Sequence, residues 1–171
     1  HLSRIAIDDS DAGPYLLMAR IYEGQKTFLR AVECYKSAAQ RSPSGEVGDA
    51  QAARALVAAA DLCERKLNEP GEALEHYLNA QRRALAAIAM IREVGQVPPP
   101  QLLTDRDTAI AATERMLTQG GRGSELEGLL RERIRLTANV AATIEERQTL
   151  LGRLLGMLVA RRYSGAVSPE L

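Results

Sequence analysis

Residues 15–43 read YLLMARIYEGQKTFLRAVECYKSAAQRSP, and this stretch decides the fold. Tyr15, Met18, Ala19 and Tyr22 follow the i, i+3, i+4, i+7 spacing of one buried helical face, and Ala31, Tyr35 and Ala38 resume it after a short turn. Two helices joined so closely form a hairpin. The pattern returns downstream: Ala60 to Ala73 corresponds to Ala19 to Ala31 with one extra residue, assigned to the turn at Asn68-Glu69-Pro70, and Tyr77 and Ala80 then take the places of Tyr35 and Ala38. Small residues at these positions have a physical reason. Antiparallel helices approach closely only where both surfaces are low, and tyrosine rings fill the space beside the contact.

Turn signals divide the rest of the chain at Asp8 to Asp11, Ser42-Pro43-Ser44-Gly45, Val97-Pro98-Pro99-Pro100, Gly120-Gly121-Arg122-Gly123 and Thr137 to Thr143. The segments between them carry helical periodicity, and none alternates with the period of two expected of a strand. Ser124-x-x-Glu127 and Thr143-x-x-Glu146 have the spacing of capping boxes at two helix starts. The expected fold is therefore all-α.

The first hairpin resembles the tetratricopeptide repeat. Tyr15, Met18, Ala19, Tyr22, Ala31, Tyr35, Ala38 and Pro43 match that family's aromatic-x-x-Leu-small-x-x-Tyr, Ala-x-x-x-aromatic, Ala and Pro pattern. The second is similar through Leu56, Ala59, Ala60, Cys63, Ala73, Tyr77 and Ala80, with Cys63 at the place of the first-helix tyrosine. A third unit, Ile110 to Leu136, keeps Leu117, Leu126 and Leu130 but has Glu114 and Arg133 where small residues belong, and Leu155-Gly156 and Val159 resemble the first helix of a fourth. The resemblance, to a degenerate array of the bacterial type, implies an α-α superhelix of antiparallel hairpins. It is laid out as the end of a preceding helix (1–9), repeat 1 (10–45), repeat 2 with an extended second helix (46–96), a degenerate repeat 3 (97–139), and the first helix of a fourth repeat with a tail (140–171). The long helix Gly71 to Glu93 absorbs the uneven spacing of Ala19, Ala60 and Glu114. HEAT-like hairpins, with repeats of about 40–47 residues, are the alternative architecture.

Composition fits such an array. The hydrophobic share is 46% but aromatics are 4%, with no Trp and one Phe, so the core is built from Ala and Leu. Lys plus Arg and Asp plus Glu are 22 each, and zero net charge gives no electrostatic reason for a nucleic-acid partner. Cys34, Cys63, His1 and His76 show no recognisable metal-ligand spacing, so neither metal nor cofactor is expected, and free cysteines fit a reduced, cytoplasmic setting. No apolar run approaches the ~20 residues of a membrane span. The nearest, Leu150 to Ala160, is interrupted by Arg153. His1 to Ile7 reads as the last turns of a helix already under way, so the chain reads as part of something longer.

Several motifs invite chemistry and are better read structurally. Asp8-Asp9-Ser10-Asp11 alternates carboxylates like a calcium loop, but the closing Glu of a loop begun at Asp9 is Arg20, which leaves an acidic helix entry. Gly120 to Ser124 has the glycines of a phosphate cradle without its lysine or a preceding strand, so an inter-helix turn is expected. His76 has no acidic, Ser or Cys partner placed in sequence and reads as a structural histidine, Cys34 and Cys63 as unpaired core residues. Gly152-x-x-x-Gly156 reads as close helix packing.

No catalytic constellation is present, so a binding role is expected and not an enzyme. In tetratricopeptide arrays the inward face of the first helices holds the ligand, and here the resemblance places Arg20, Arg54, Asp61, Glu64, Arg115, Arg153 and Arg161 on it. The family's carboxylate clamp for chaperone C-termini is absent, since Leu16 and Arg20 stand at its first pair of positions. Arg20, Arg54 and Arg115 fall one per unit and would form a ladder for a peptide or helix with acidic side chains, unless Asp61 and Glu64 pair with them. The expected role is a protein-interaction scaffold; the alternative is an assembly segment, self-associating through the apolar helix of Leu154, Leu155, Leu158 and Val159.

Overall fold

The computed structural model describes residues 11–139 and 144–166, and every regular element among them is helical. They are α1 (Gly13–Gly24), α2 (Phe28–Arg41), α3 (Glu46–Leu62), a π turn (Cys63–Leu67), α4 (Pro70–Glu93), α5 (Pro100–Gln119), α6 (Gly123–Asn139) and α7 (Ile144–Ala166). Packed pairs are α1 with α2, α3 with α4 and α6 with α7, and α2 also packs on α3. The chain divides into two compact units, His1–Met116 and Leu117–Leu171, the boundary falling near the end of α5. The expected helix within 1–9 and the capping residue Thr143 lie outside the described residues.

Three helix ends share one backbone solution. After α1, Lys26 turns left-handed at φ 59°, and the Thr27 N–H bonds back to the Tyr22 carbonyl at 2.9 Å. Gly95 and Gly121 do the same after α4 and α5, at φ 73° and 67°, with Gln96 N–H on the Ile91 carbonyl (3.1 Å) and Arg122 N–H on the Leu117 carbonyl (2.9 Å). The glycines at 120–123 are thus an inter-helix turn, as expected. At the entry to α1, the Gly13 N–H donates to Asp11 Oδ1 at 2.8 Å, the acidic helix entry read from the sequence.

The self-similarity of the two hairpins extends to side chains. Tyr35 donates its hydroxyl to Glu23 Oε2 at 3.0 Å, and Tyr77 donates to Glu64 Oε2 at 3.3 Å. Glu23 and Glu64 stand at the same offset from Ala19 and Ala60. The extra residue of the second hairpin sits earlier than the sequence suggested. It is taken up in the π turn, where i→i+5 bonding admits one residue without disturbing the helix before it, and Asn68 at φ 55° closes the turn with the Glu69 N–H on the Cys63 carbonyl at 2.8 Å.

Alanines at the crossings are fully occluded: Ala19, Ala31 and Ala38 in the first hairpin, and Ala59, Ala60, Ala73 and Ala80 in the second. Tyr35 and Tyr77 are buried beside them. α4 outlasts its partner, and Ala84, Ala87, Ile88 and Ile91 form a separate cluster with Ala53 of α3 and Leu102 of α5. A tryptophan at a crossing has nowhere to go. Ala19→Trp and Ala60→Trp are each expected to cost about 1–3 kcal/mol or more, and Ala86→Trp, at a half-buried site, clearly less; thermal melts of the three variants check the order.

A polar strap ties the linker between the hairpins to α4. Asp49, buried in the first turn of α3, accepts from the Gly45 N–H (2.9 Å) and from Arg83 Nε (2.9 Å), and Arg83 also reaches the Ser42 carbonyl at 2.6 Å. Beside it, Gly48 lies so close to the linker that a Cβ built on it would stand 2.0 Å from the Pro43 carbonyl oxygen.

Four local expectations are corrected. Met18 is 42% exposed, and Leu16 packs against the core with Tyr15 and Tyr22 instead, because Leu16 lies one turn before Ala19 whereas Met18 is rotated about 100° away. In α5 the occluded residue is Thr113, one position before Glu114, its hydroxyl satisfied by the Ala109 carbonyl at 2.7 Å. Ser124 and Glu127 do not form a capping box: α6 begins at Gly123, and the Glu127 carboxylate is taken by Arg131 (2.9 Å) and Arg161 (2.8 Å). Gly152 and Gly156 make no close crossing with another helix of this chain among the described residues, since a Cβ on either would meet nothing within 4 Å.

In the second unit Leu117, Leu126 and Leu130 are buried. Leu151, Leu155, Val159 and Tyr163 of α7 form an exposed i, i+4 ladder.

Candidate binding groove

α1, α3 and α5 flank a groove of about 560 Å³ within the first unit. Its wall on α3 is low because Ala50, Ala55 and Ala58 line it, and Leu102 and Leu16 add apolar surface from the flanking helices. Arg20 of α1 and Arg54 of α3 both line it and are exposed. Neither has a carboxylate at ion-pair distance among the described residues. Tyr35 lines the same groove, and its phenol pKa is pushed up to about 12 by burial and by its hydrogen bond to Glu23, with Arg20 and Arg54 opposing. Both guanidinium groups therefore act on one neighbourhood.

The α5 wall has the opposite character. Asp105 is buried there, accepts from Gln101 Nε2 at 3.0 Å, and has its carboxyl pushed above the usual range by burial, against the pull of Gln101 and Arg54. No family model, curated protein or solved structure matches this chain. The groove's own chemistry therefore carries the functional reading: two cations on one side, and on the other a buried carboxylate able to accept an N–H or O–H.

The remaining ladder positions are otherwise engaged. Arg115 reaches Glu64 at 2.6 Å, and this guanidinium, with the Tyr77 hydroxyl, holds the Glu64 carboxyl below its usual range against burial. Asp61 pairs with Arg65 at 2.7 Å. The ladder of three thus has two rungs without a carboxylate partner among the described residues, Arg20 and Arg54. Arg161 belongs to the second unit, where Glu127 holds it. Asp105 and Tyr35 were missed as groove residues. The one sequence signal for Asp105 is the i, i+4 spacing of Gln101-x-x-x-Asp105, and with α5 read one residue out of register it had no face assigned.

A second constellation joins residues that the sequence left apart. Cys63 opens the π turn, Glu72 and His76 stand i, i+4 on α4, and their ligating atoms all lie within 4.8 Å of one another. Cys63 Sγ approaches Glu72 Oε2 at 3.9 Å. Burial first, then Glu72, pushes the Cys63 thiol up to about 11, and burial lowers the His76 pKa below its usual value. Cys34 and Cys63 are both free. No helix among the described residues is long and apolar enough to cross a membrane.

Asp105 gives the groove a pH signature. A carboxyl whose folded pKa is raised contributes stability below its unfolded value, near 3.9, and loses it as pH rises through the folded value. Asp105→Asn keeps an acceptor for Gln101 without the charge. It is expected to melt above the parent at neutral pH, with the two melting curves converging as pH falls toward about 3.

Proposed function

We propose that the chain is a protein-interaction module whose groove takes an extended peptide or helix bearing acidic side chains, one carboxylate reaching Arg20 and a neighbouring one Arg54. The observation that carries this reading is the pair of guanidinium groups, without a carboxylate partner among the described residues, that flank an open, alanine-floored groove. The planar fork of arginine grips a carboxylate through two hydrogen bonds, and an apolar floor admits a backbone closely. Asp105 adds direction by accepting a donor on the opposite side of the ligand. The match of residues 15–43 to the tetratricopeptide pattern supports the same surface, the inward face of first helices in a superhelical array. The reading assigns the groove no catalytic step and no nucleic-acid partner.

A library of acidic decapeptides with varied Asp and Glu spacing, measured by fluorescence anisotropy, tests it. The best binder should lose about tenfold or more in affinity in Arg20→Glu and in Arg54→Glu, and weaken with added salt, whereas Arg115→Ala should leave its affinity unchanged. Equal binding of acidic and basic peptides, or full affinity in a folded Arg20→Glu/Arg54→Glu chain, would overturn it.

One observation favours a second reading, assembly of like chains. The ladder Leu151, Leu155, Val159 and Tyr163 is exposed on α7, with Gly152 and Gly156 leaving the same helix low enough for a second copy to approach. Sedimentation should then show an oligomer that Leu155→Glu dissolves; a monomer at all concentrations would exclude it.

A further inference from the structure

The cluster at the base of the second hairpin has the chemistry of a metal site, and none of its members lines the groove. We propose that Cys63, Glu72 and His76 bind one borderline-soft divalent transition metal ion, zinc(II) being the best match, with the fourth position open to solvent. The donor set is the first support: thiolate sulfur, imidazole nitrogen and carboxylate oxygen are the three ligand types zinc takes, and three protein ligands plus one open position is the arrangement of reactive zinc sites. The second is an orphan. His76 is buried and its Nε2 has no hydrogen-bond partner among the described residues, a costly state for a ring nitrogen that a metal ion or an ordered group would relieve.

Local structure explains the convergence. The i, i+4 spacing places Glu72 and His76 on one face of α4, and the π turn, by admitting its extra residue after Cys63, keeps that residue at the crossing, fully buried against α4. Ligand atoms around a tetrahedral zinc stand roughly 3.3–3.8 Å apart, from bond lengths of about 2.0–2.3 Å. The cluster must therefore contract by about 1.5 Å at most from the 4.8 Å limit on its separations, and Glu72, whose side chain is exposed, is free to supply the movement. Charge balances as well. Binding expels the thiol proton to solvent, and thiolate plus carboxylate then offset the two positive charges of the ion in a buried place. Lys36 of α2 acts on Cys63 and His76 as an opposing cation, already paired with Glu33 at 3.3 Å, while Glu69 and Glu75 add negative charge nearby.

Cobalt(II) and zinc(II) chlorides, added to the full chain under reducing conditions, are the probes. Stoichiometric cobalt should produce thiolate-to-metal charge-transfer absorption with tetrahedral visible bands, zinc should displace it, and zinc should raise the melting temperature. Cys63→Ser should abolish the charge-transfer band and Cys34→Ser should not. Glu72→Gln, at an exposed position, should leave the metal-free melting temperature in place yet weaken zinc about tenfold or more, and Lys36→Gln should tighten it. No charge-transfer absorption in the parent chain, a band that survives Cys63→Ser, or undiminished affinity in Glu72→Gln would overturn the assignment.

Discussion

Gly48→Ala is expected to be among the most damaging single-atom additions in the protein, costing about 3 kcal/mol or more and lowering the melting temperature by about 10 °C. The added Cβ would lie 2.0 Å from the Pro43 carbonyl oxygen and 2.9 Å from the carbonyl carbon, both backbone atoms. A flexible side chain swings aside cheaply, but here α3 or the linker itself must move. Moving either stretches the bonds that hold Gly45 and Arg83 to Asp49. Gly71→Ala is the control, because a Cβ there meets nothing within 4 Å and alanine is the better helix former. Thermal unfolding of the two variants side by side gives the answer; equal melting temperatures would show that the linker yields freely.

Arg83→Met is expected to cost about 3–5 kcal/mol, through what it leaves behind more than through what it removes. Among the described residues, Asp49 would remain buried with a single donor, the Gly45 amide, and no counter-charge. Arg83 is partly open to solvent, which places the effect toward the lower end of that range. The Ser42 carbonyl would also lose the guanidinium that reaches it at 2.6 Å. Adding Asp49→Asn to Arg83→Met removes the stranded charge and should recover a large part of the loss. Denaturant unfolding of the two single variants and the double variant measures the coupling; strict additivity would mean that the pair contributes nothing as a pair.

What was legible in the sequence follows from what residue type encodes. Ala19, Ala31, Tyr35 and Ala38 recur as Ala60, Ala73, Tyr77 and Ala80, and period with side-chain volume was enough to place all eight at buried crossings. Gly71 to Glu93 as one long second helix was equally plain, because it carries apolar residues at helical spacing with no internal breaker. In α5 these cues fail. Thr113 and Glu114 are adjacent polar residues, and only the packed structure shows which of them faces inward. Arg20, Arg54 and Arg115 look alike in sequence, yet Glu64 neutralises the last, a pairing between the π turn and α5 that spacing hints at but does not determine. The meeting of Cys63 with His76 was hidden for a related reason. The two residues lie on opposite sides of a turn whose extra residue was assigned to the loop, and a one-residue error in a helix turns a side chain by about 100°.

The strap between the hairpins bears on how the first unit breathes. Connecting loops are ordinarily where amide protons exchange first, since their backbone groups face water and open at little cost. The Gly45 N–H is instead held by a buried carboxylate that α4 grips through Arg83. To release that proton the second hairpin must loosen along with the linker, so its exchange should track the unfolding of the hairpin pair and not local fraying. The linker thereby joins two repeats into one cooperative element, and opening of one hairpin is transmitted to its neighbour rather than absorbed between them.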